Sequence, residues 1–182
     1  EAYSIGDVLS VDLYGTIPER RNDPKYLLVV KDIFTGRTWL RTLYNIKKAS
    51  VCQQMITVIH DIEMHKVRIK KIITDNGSQF ISNSWYSLLD THHIQAAHTS
   101  PHNPQSSSVE RTMRCIGDKI RLKINETYDP SRSHLGWQEV INEIENELNN
   151  TPTSFGFKPK EPWGIADIIS QRIPAESTQY TL

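Results

Sequence analysis

Asp12, Asp75 and Glu110 are the residues of this chain with the most chemistry in them. Asp12 lies between Val11 and Leu13 in a β-rich run, Val8–Tyr14. Asp75 ends a second such run and leads into the turn pair Asn76-Gly77. Glu110 stands one position off the apolar stripe of a predicted helix. Each has a plain structural reading. Asp12 could face outward or pair with a lysine, Asp75 could cap a turn, and Glu110 could sit on a solvated helix face. Their combination is more informative. A strand-interior acid is costly to bury without compensation, and an acid at the C-terminal end of a strand stands where sites form in α/β sheets. Two strand carboxylates and one helix carboxylate can converge on a pair of divalent cations, the arrangement that drives in-line displacement at phosphorus.

The elements that must position them follow from periodicity. Val8–Tyr14 reads as a first strand, and residues 15–24, with Gly15, Pro18, Asn22, Asp23 and Pro24, as a loop. Tyr26–Phe34 reads as a central strand, joined by a Thr35-Gly36 turn to an alternating partner, Arg37–Leu43. Lys47–Lys66 carries apolar residues at Val51, Met55, Val58, Ile59 and Ile62, which is helical spacing. Val67–Thr74 and Ile94–His98 are predicted strands, with a short helix at Asn83–Thr91 between them. Thr99–Ser106, rich in Ser, Pro, Asn and His, is predicted to be loop. Helices are expected at Ser107–Ile124 and Gly136–Asn149, with a further short one at Pro162–Ser170. Hairpin strands followed by helix-linked strands give an α/β fold with a mixed sheet, antiparallel on one side and parallel on the other.

Composition allows this reading. The 182 residues suit one domain, and no apolar run approaches the ~20 residues that span a bilayer. No signal-peptide pattern opens the chain, and Glu1-Ala2-Tyr3-Ser4 reads as the start of an excised domain. The formal net charge is zero, which argues against a generic nucleic-acid binder, but the charge is unevenly spread. Residues 31–71 hold nine Lys/Arg against three acids, residues 101–123 five against two, and residues 124–150 six acids against one Arg. A basic face near the three acids and an acidic face elsewhere are therefore expected. Along the predicted 107–124 helix, Glu110, Arg114, Gly117 and Arg121 share one face, a line suited to phosphates. Gly117 is expected to leave room there for close approach.

Five stretches in collinear order then give a resemblance. They are Val11-Asp12-Leu13-Tyr14-Gly15; Tyr26–Thr35; Thr74-Asp75-Asn76-Gly77-Ser78-Gln79-Phe80; His102–Arg111; and Asn150–Pro159. The chain from about residue 5 to 168 resembles the catalytic core of retroviral and retrotransposon integrases, most of all the gypsy type of long-terminal-repeat element. The resemblance implies an RNase H-like fold, a five-stranded mixed sheet flanked by helices, over residues 1–170, with 171–182 a tail or the start of a linker. It places the family's acidic triad on Asp12, Asp75 and Glu110, both as catalytic residues and as ligands of two Mg²⁺ (or Mn²⁺) ions. It implies element-end DNA and target DNA as partners, 3′-end trimming by water and then strand transfer, a homodimer or higher oligomer, and the nucleus or a cytoplasmic virus-like particle as location. Arg111, Arg114, Lys119, Arg121, Asn76 and His102 become candidate DNA contacts, and His98 a weaker one.

The chain departs from the family in three places, one being that the family's helix usually offers a lysine near Arg114 and Gly117, so that Arg114, Lys119 and Arg121 are left to supply the phosphate contacts. Asp75 and Glu110 have 34 residues between them, one fewer than the retroviral pattern. Ser106-Ser107-Ser108 stands where the family often has Asn-Gly or Asn-Pro. Cys52 and Cys115 lack zinc spacing with any of the seven histidines and read as buried free thiols, so the family's separate zinc module is not expected in this segment. Glu139, Glu143 and Glu147 repeat every four residues, forming either a solvated face or one that meets Lys47, Lys48 or Lys66 of a second subunit. The four tryptophans read as core or interface residues. The alternatives to an integrase are a derived binding module without catalysis and a nuclease of the same fold.

Overall fold

The computed structural model describes residues 2, 4–17, 24–99, 104–127, 137–153 and 156–164; for 104–110, 124–127 and 137 it describes the helical backbone alone. Five strands, β1 (Val8–Gly15), β2 (Tyr26–Asp32), β3 (Thr38–Leu43), β4 (Lys71–Thr74) and β5 (Gln95–His98), form one sheet in the order β3-β2-β1-β4-β5. The β1–β2 and β2–β3 pairs are antiparallel, and β1–β4 and β4–β5 are parallel. The helices are α1 (Lys48–Met64), α2 (Asn83–Thr91), α3 (Pro104–Thr127) and α4 (Trp137–Asn150).

Strand alternation divides the core into two layers. Leu9 and Val11 join Leu28, Val30, Trp39 and Leu43 against Val51, Met55, Val58, Ile59 and Ile62 of α1 and Trp85 and Leu89 of α2. On the other face Leu27, Val29 and Leu40, with Tyr14 beside them, pack on Ile116 and Ile120 of α3 and Val140, Ile141 and Ile144 of α4. Asp12 is in phase with Tyr14, so it belongs to the α3 face.

Several boundaries differ from the periodicity. β4 forms its ladder only from Lys71, because the preceding residues run alongside the N-terminal turn, where Lys70 N donates to Gly6 O at 3.1 Å. α3 begins at Pro104, inside the stretch expected to be loop. Proline suits a first helical position, where its missing N–H costs nothing. Of the expected 162–170 helix only residues up to 164 are described, and the boundary near 170 lies outside the described residues. Neither cysteine is fully buried: Cys52 is half-buried and Cys115 exposed. Trp39, Trp85 and Trp163 are core residues.

Two buried polar side chains replace backbone partners. Asp32 Oδ2 accepts from Thr35 N (2.9 Å) and Thr35 Oγ1 (2.6 Å), and Oδ1 accepts from Gly6 N (3.2 Å). This ties the β2–β3 turn to the N-terminal turn, and Trp163 Nε1 adds the C-terminal segment by donating to Thr35 Oγ1 at 2.9 Å. Along the edge strand β3, α4 runs antiparallel and supplies side-chain partners. Asn149 Oδ1 accepts from Thr38 N (2.8 Å) while its Nδ2 donates to Thr38 O (2.7 Å), and Glu145 Oε2 accepts from Leu40 N (2.7 Å). Four helical residues rise about 6 Å and two strand residues about 6.6 Å, so the repeats match. The edge is thereby closed to further strand pairing.

Asn149→Ala strands both polar groups of Thr38 and is expected to cost about 1–3 kcal/mol in urea unfolding. Gln138→Ala, which removes an exposed bond to Thr42 Oγ1, is expected to stay within about 0.5 kcal/mol.

Candidate active site

The parallel ladder between β1 and β4 sets the geometry of the acids. Val8, Leu9 and Ser10 pair with Lys71, Ile72 and Ile73. Carried two residues further, the same register brings Asp12 level with Asp75, the first residue beyond β4. Residues level in register share a face, so the two carboxylates meet beside α3.

Each carboxylate spends one oxygen on its own backbone. Asp12 Oδ1 accepts from Leu13 N at 2.7 Å, and Asp75 Oδ1 accepts from Gly77 N at 3.0 Å. Gly77 suits this turn because a Cβ there would lie 3.0 Å from Asp75 Oδ1 and run into the Gln79 amide. Burial pushes the Asp12 carboxyl above its ordinary pKa, the Leu13 N–H partly offsets that, and the negative charge of Asp75 pushes it further up. A half-buried carboxyl whose ionisation is opposed by burial and by a neighbouring negative charge is one that a hard cation would relieve.

Glu110 belongs to α3, and its side chain lies outside the described residues. Its helical position is informative. Gly117 is buried against β1, and a Cβ on it would stand 2.8 Å from Tyr14 Oη. Position 110 lies seven residues, close to two turns, before Gly117, which puts it on the same sheet-facing side of α3. Among the described residues no three His, Cys, Asp or Glu side chains converge; the two aspartates do, and the backbone of α3 carries the third position on the side they occupy.

The other expected contacts divide. Asn76 is exposed beside Asp75, and Arg111 and Arg114 are exposed on α3. Lys119 is ion-paired to Glu147 at 2.6 Å, and Arg121 to Asp118 at 3.0 Å. His102 lies outside the described residues. Gly117 does not open a path for phosphate; its place is taken by Tyr14. The acidic repeat of α4 is not simply solvated, since Glu143 and Glu147 pair with Lys123 and Lys119 of α3 in the same chain. The Lys119 hydrogen bond holds the Glu147 carboxyl below its ordinary pKa.

Two residues have partners that the sequence did not indicate: Lys31, not singled out there, and His98, expected only as a weaker DNA contact. Lys31 Nζ donates to Thr112 Oγ1 at 2.8 Å, and burial, then the charge of Arg111, pushes its pKa down. It floors a cleft of about 710 Å³ that is also lined by Thr38, Arg111, Cys115 and Lys119. Its signal was present in the sequence: a lysine in phase with the inward residues Leu27 and Val29. His98 is the second, with its ring nitrogens on Asp75 O, Thr74 Oγ1 and Tyr86 Oη.

This architecture is shared with known proteins. A family model described as the integrase core domain matches residues 3–104, more than half of the chain. The Pro-Pol polyprotein of Feline foamy virus is 29% identical over 148 residues, covering 80% of this chain and 12% of that one. The chain thus spans about an eighth of that relative. Among solved structures, the catalytic core domain of BIV integrase superposes with a TM-score of 0.70 at 15% identity, covering 92% of this chain and 99% of that one. The HTLV-2 integrase catalytic core domain in complex with magnesium, in a dimeric form, gives a TM-score of 0.68 at 18% identity, covering 87% and 97%. The five-stranded mixed sheet is the RNase H-like fold of these cores, and the chain belongs to the integrase core domain family.

Proposed function

We propose that this domain is a metal-dependent polynucleotidyl transferase that trims and joins DNA ends, with Asp12, Asp75 and Glu110 as its carboxylate ligands. The observation that carries this reading is the level placement of Asp12 and Asp75 across adjacent parallel strands, each with one oxygen already committed to backbone. The magnesium named with the HTLV-2 core supports a hard divalent cation as cofactor, and carboxylate oxygens are the donors such a cation prefers. When bound, a pair of such ions supplies positive charge at the scissile phosphate and at the attacking and leaving oxygens.

The chain's own residues have separable tasks. Asp12, on the central strand β1 and beside Asp75, would serve as a shared ligand. Asp75 is held by its turn, and Glu110 arrives on α3. Arg111 and Arg114, both exposed on that helix, are the cations placed for DNA phosphates. Element-end and target DNA are the proposed substrates, and water or a DNA 3′-OH the nucleophile. A gypsy-type element, a core extending to about residue 170, a dimeric or larger assembly and a nuclear site of action complete the proposal.

Asp75→Asn is expected to abolish strand joining on a branched DNA substrate with Mg²⁺ or Mn²⁺ while the far-ultraviolet circular dichroism and melting temperature hold. A folded variant that still joins DNA removes Asp75 from the metal site. Nucleolytic cleavage without joining identifies a nuclease instead.

Asp12→Asn is expected to raise the melting temperature of the metal-free protein at neutral pH, because it removes a charge that burial and Asp75 both oppose. The sign is fixed by linkage. A carboxyl with a raised folded-state pKa binds more protons folded than unfolded, so its stabilising share is present at low pH. That share is lost as pH rises from the ordinary aspartate value through the folded one. Millimolar Mg²⁺ is expected to raise the melting temperature of the wild type and not of the variant. A variant that melts lower than wild type, or gains as much from Mg²⁺, contradicts the reading.

A further inference from the structure

His98 closes β5 and pairs in register with Thr74, which places its ring at the point where the chain leaves the sheet towards Asp75. Its Nδ1 stands 3.2 Å from Asp75 O and 3.1 Å from Thr74 Oγ1. A carbonyl carries no proton, so Nδ1 is the donor to Asp75. Nε2 stands 2.9 Å from Tyr86 Oη, with the two rings edge-on at 6.2 Å. The neutral ring that donates from Nδ1 accepts the Tyr86 hydroxyl proton at Nε2, so both contacts are satisfied together.

Tyr86 stands on α2, and α2 is well fixed. Trp85 and Leu89 bury its inner face, and the Ser82 hydroxyl caps its first turn by accepting from Trp85 N at 3.3 Å. The short connection from Asp75 to α2 is thus gripped at three points. Asp75 Oδ1 takes Gly77 N, Phe80 N donates to Gly77 O at 2.9 Å, and His98 ties the Asp75 carbonyl to Tyr86. Asp75 is the first residue past the ladder, and among the described residues no other hydrogen bond from sheet or helix reaches its carbonyl.

We propose that His98 and Tyr86 are positioning residues for Asp75: the Tyr86–His98–carbonyl chain fixes the backbone from which the aspartate reaches its cation. This rests on the metal-binding reading of Asp75. Neither residue touches the cation or the DNA in this account, and their effect is on how well the carboxylate is aimed. Partners that orient a metal ligand are commonly worth 10–100-fold in affinity, and one acting through the main chain belongs at the lower end.

The test is Mn²⁺ binding to the metal-free chain, followed by electron paramagnetic resonance without DNA, beside the melting temperature. His98→Phe keeps a ring and loses both contacts; it is expected to weaken Mn²⁺ by about tenfold. Tyr86→Phe, which removes one hydroxyl, is expected to weaken it by about threefold. His98→Asn, which restores an N–H donor near the Nδ1 position, is expected to return to within about threefold of wild type. Wild-type Mn²⁺ affinity in a folded His98→Phe overturns the proposal, as does His98→Asn binding no better than His98→Phe. If His98→Phe does not fold, Tyr86→Phe decides: unchanged affinity there overturns it. Asp75→Asn separates the two layers of the argument. Should that variant bind Mn²⁺ as wild type does, the metal role of Asp75 fails and the positioning role with it. Should it lose the ion while His98→Phe and Tyr86→Phe do not, only the positioning role fails.

Discussion

Everything at the candidate site depends on the parallel register between β1 and β4. Strand side chains alternate, so a slip of one residue would turn Asp12 to the α1 face and leave Asp75 alone. The register is held by apolar burial on both sides. Leu9, Val11 and Ile72 lie in the layer under α1 and α2, and Leu27 and Val29 of the neighbouring strand in the layer under α3 and α4. A one-residue slip of β1 would take Leu9 and Val11 out of the first layer and turn Ser10 and Asp12 into it. Burying a Leu or Val side chain is worth about 1.5–3 kcal/mol, so the packing holds a pair of like charges together that electrostatics alone would separate.

The third acid is placed by a different kind of contact. α3 approaches β1 closely because Gly117 admits the Tyr14 hydroxyl. It is held laterally by Lys119 and Lys123, which reach Glu147 and Glu143 of α4. α4 in turn is fastened to the edge of the sheet through Asn149 and Glu145. The chain of supports runs from β3 through α4 to α3, and position 110 rides at its end. The exposed ion pairs are individually weak, about 0–1 kcal/mol each, whereas the Asn149 bonds to Thr38 are buried. The edge contact is therefore the firmer anchor of the helix that carries Glu110.

The sequence made the site legible to unequal depths. Asp12 and Asp75 could be singled out because each breaks a pattern, an acid among β-branched residues and an acid at a strand end, and the parallel register places them side by side. The hairpin, α1 and α2 were readable because their apolar spacing coincides with burial. The start of α3 was not, because Pro104 and its polar neighbours look like loop when only composition is weighed. The role of Gly117 was misjudged for a related reason: a glycine in a helix announces close approach but not which partner approaches. The acidic repeat of α4 showed that it needed cations and left open whether they came from this chain. His98 and Tyr86 were beyond reach, since their meeting depends on how β5 and α2 lie against the end of β4.

Burial alone does not separate a structural acid from a functional one. Asp32 and Asp12 both carry pKa values raised mainly by burial. Asp32 is wholly enclosed and accepts from Gly6 N, Thr35 N and Thr35 Oγ1, bonds that offset part of its burial. Among the described residues Asp12 accepts one such bond, from Leu13 N, and has a like-charged neighbour in Asp75. A folded chain that leaves a half-buried acid with one donor and a like-charged neighbour is incomplete electrostatically at that point. Hydrogen-bond donors from the protein could have offset part of this, as they do around Asp32. Their place beside Asp12 is held by Asp75, and that like-charged neighbour is the feature on which the proposed cation site rests.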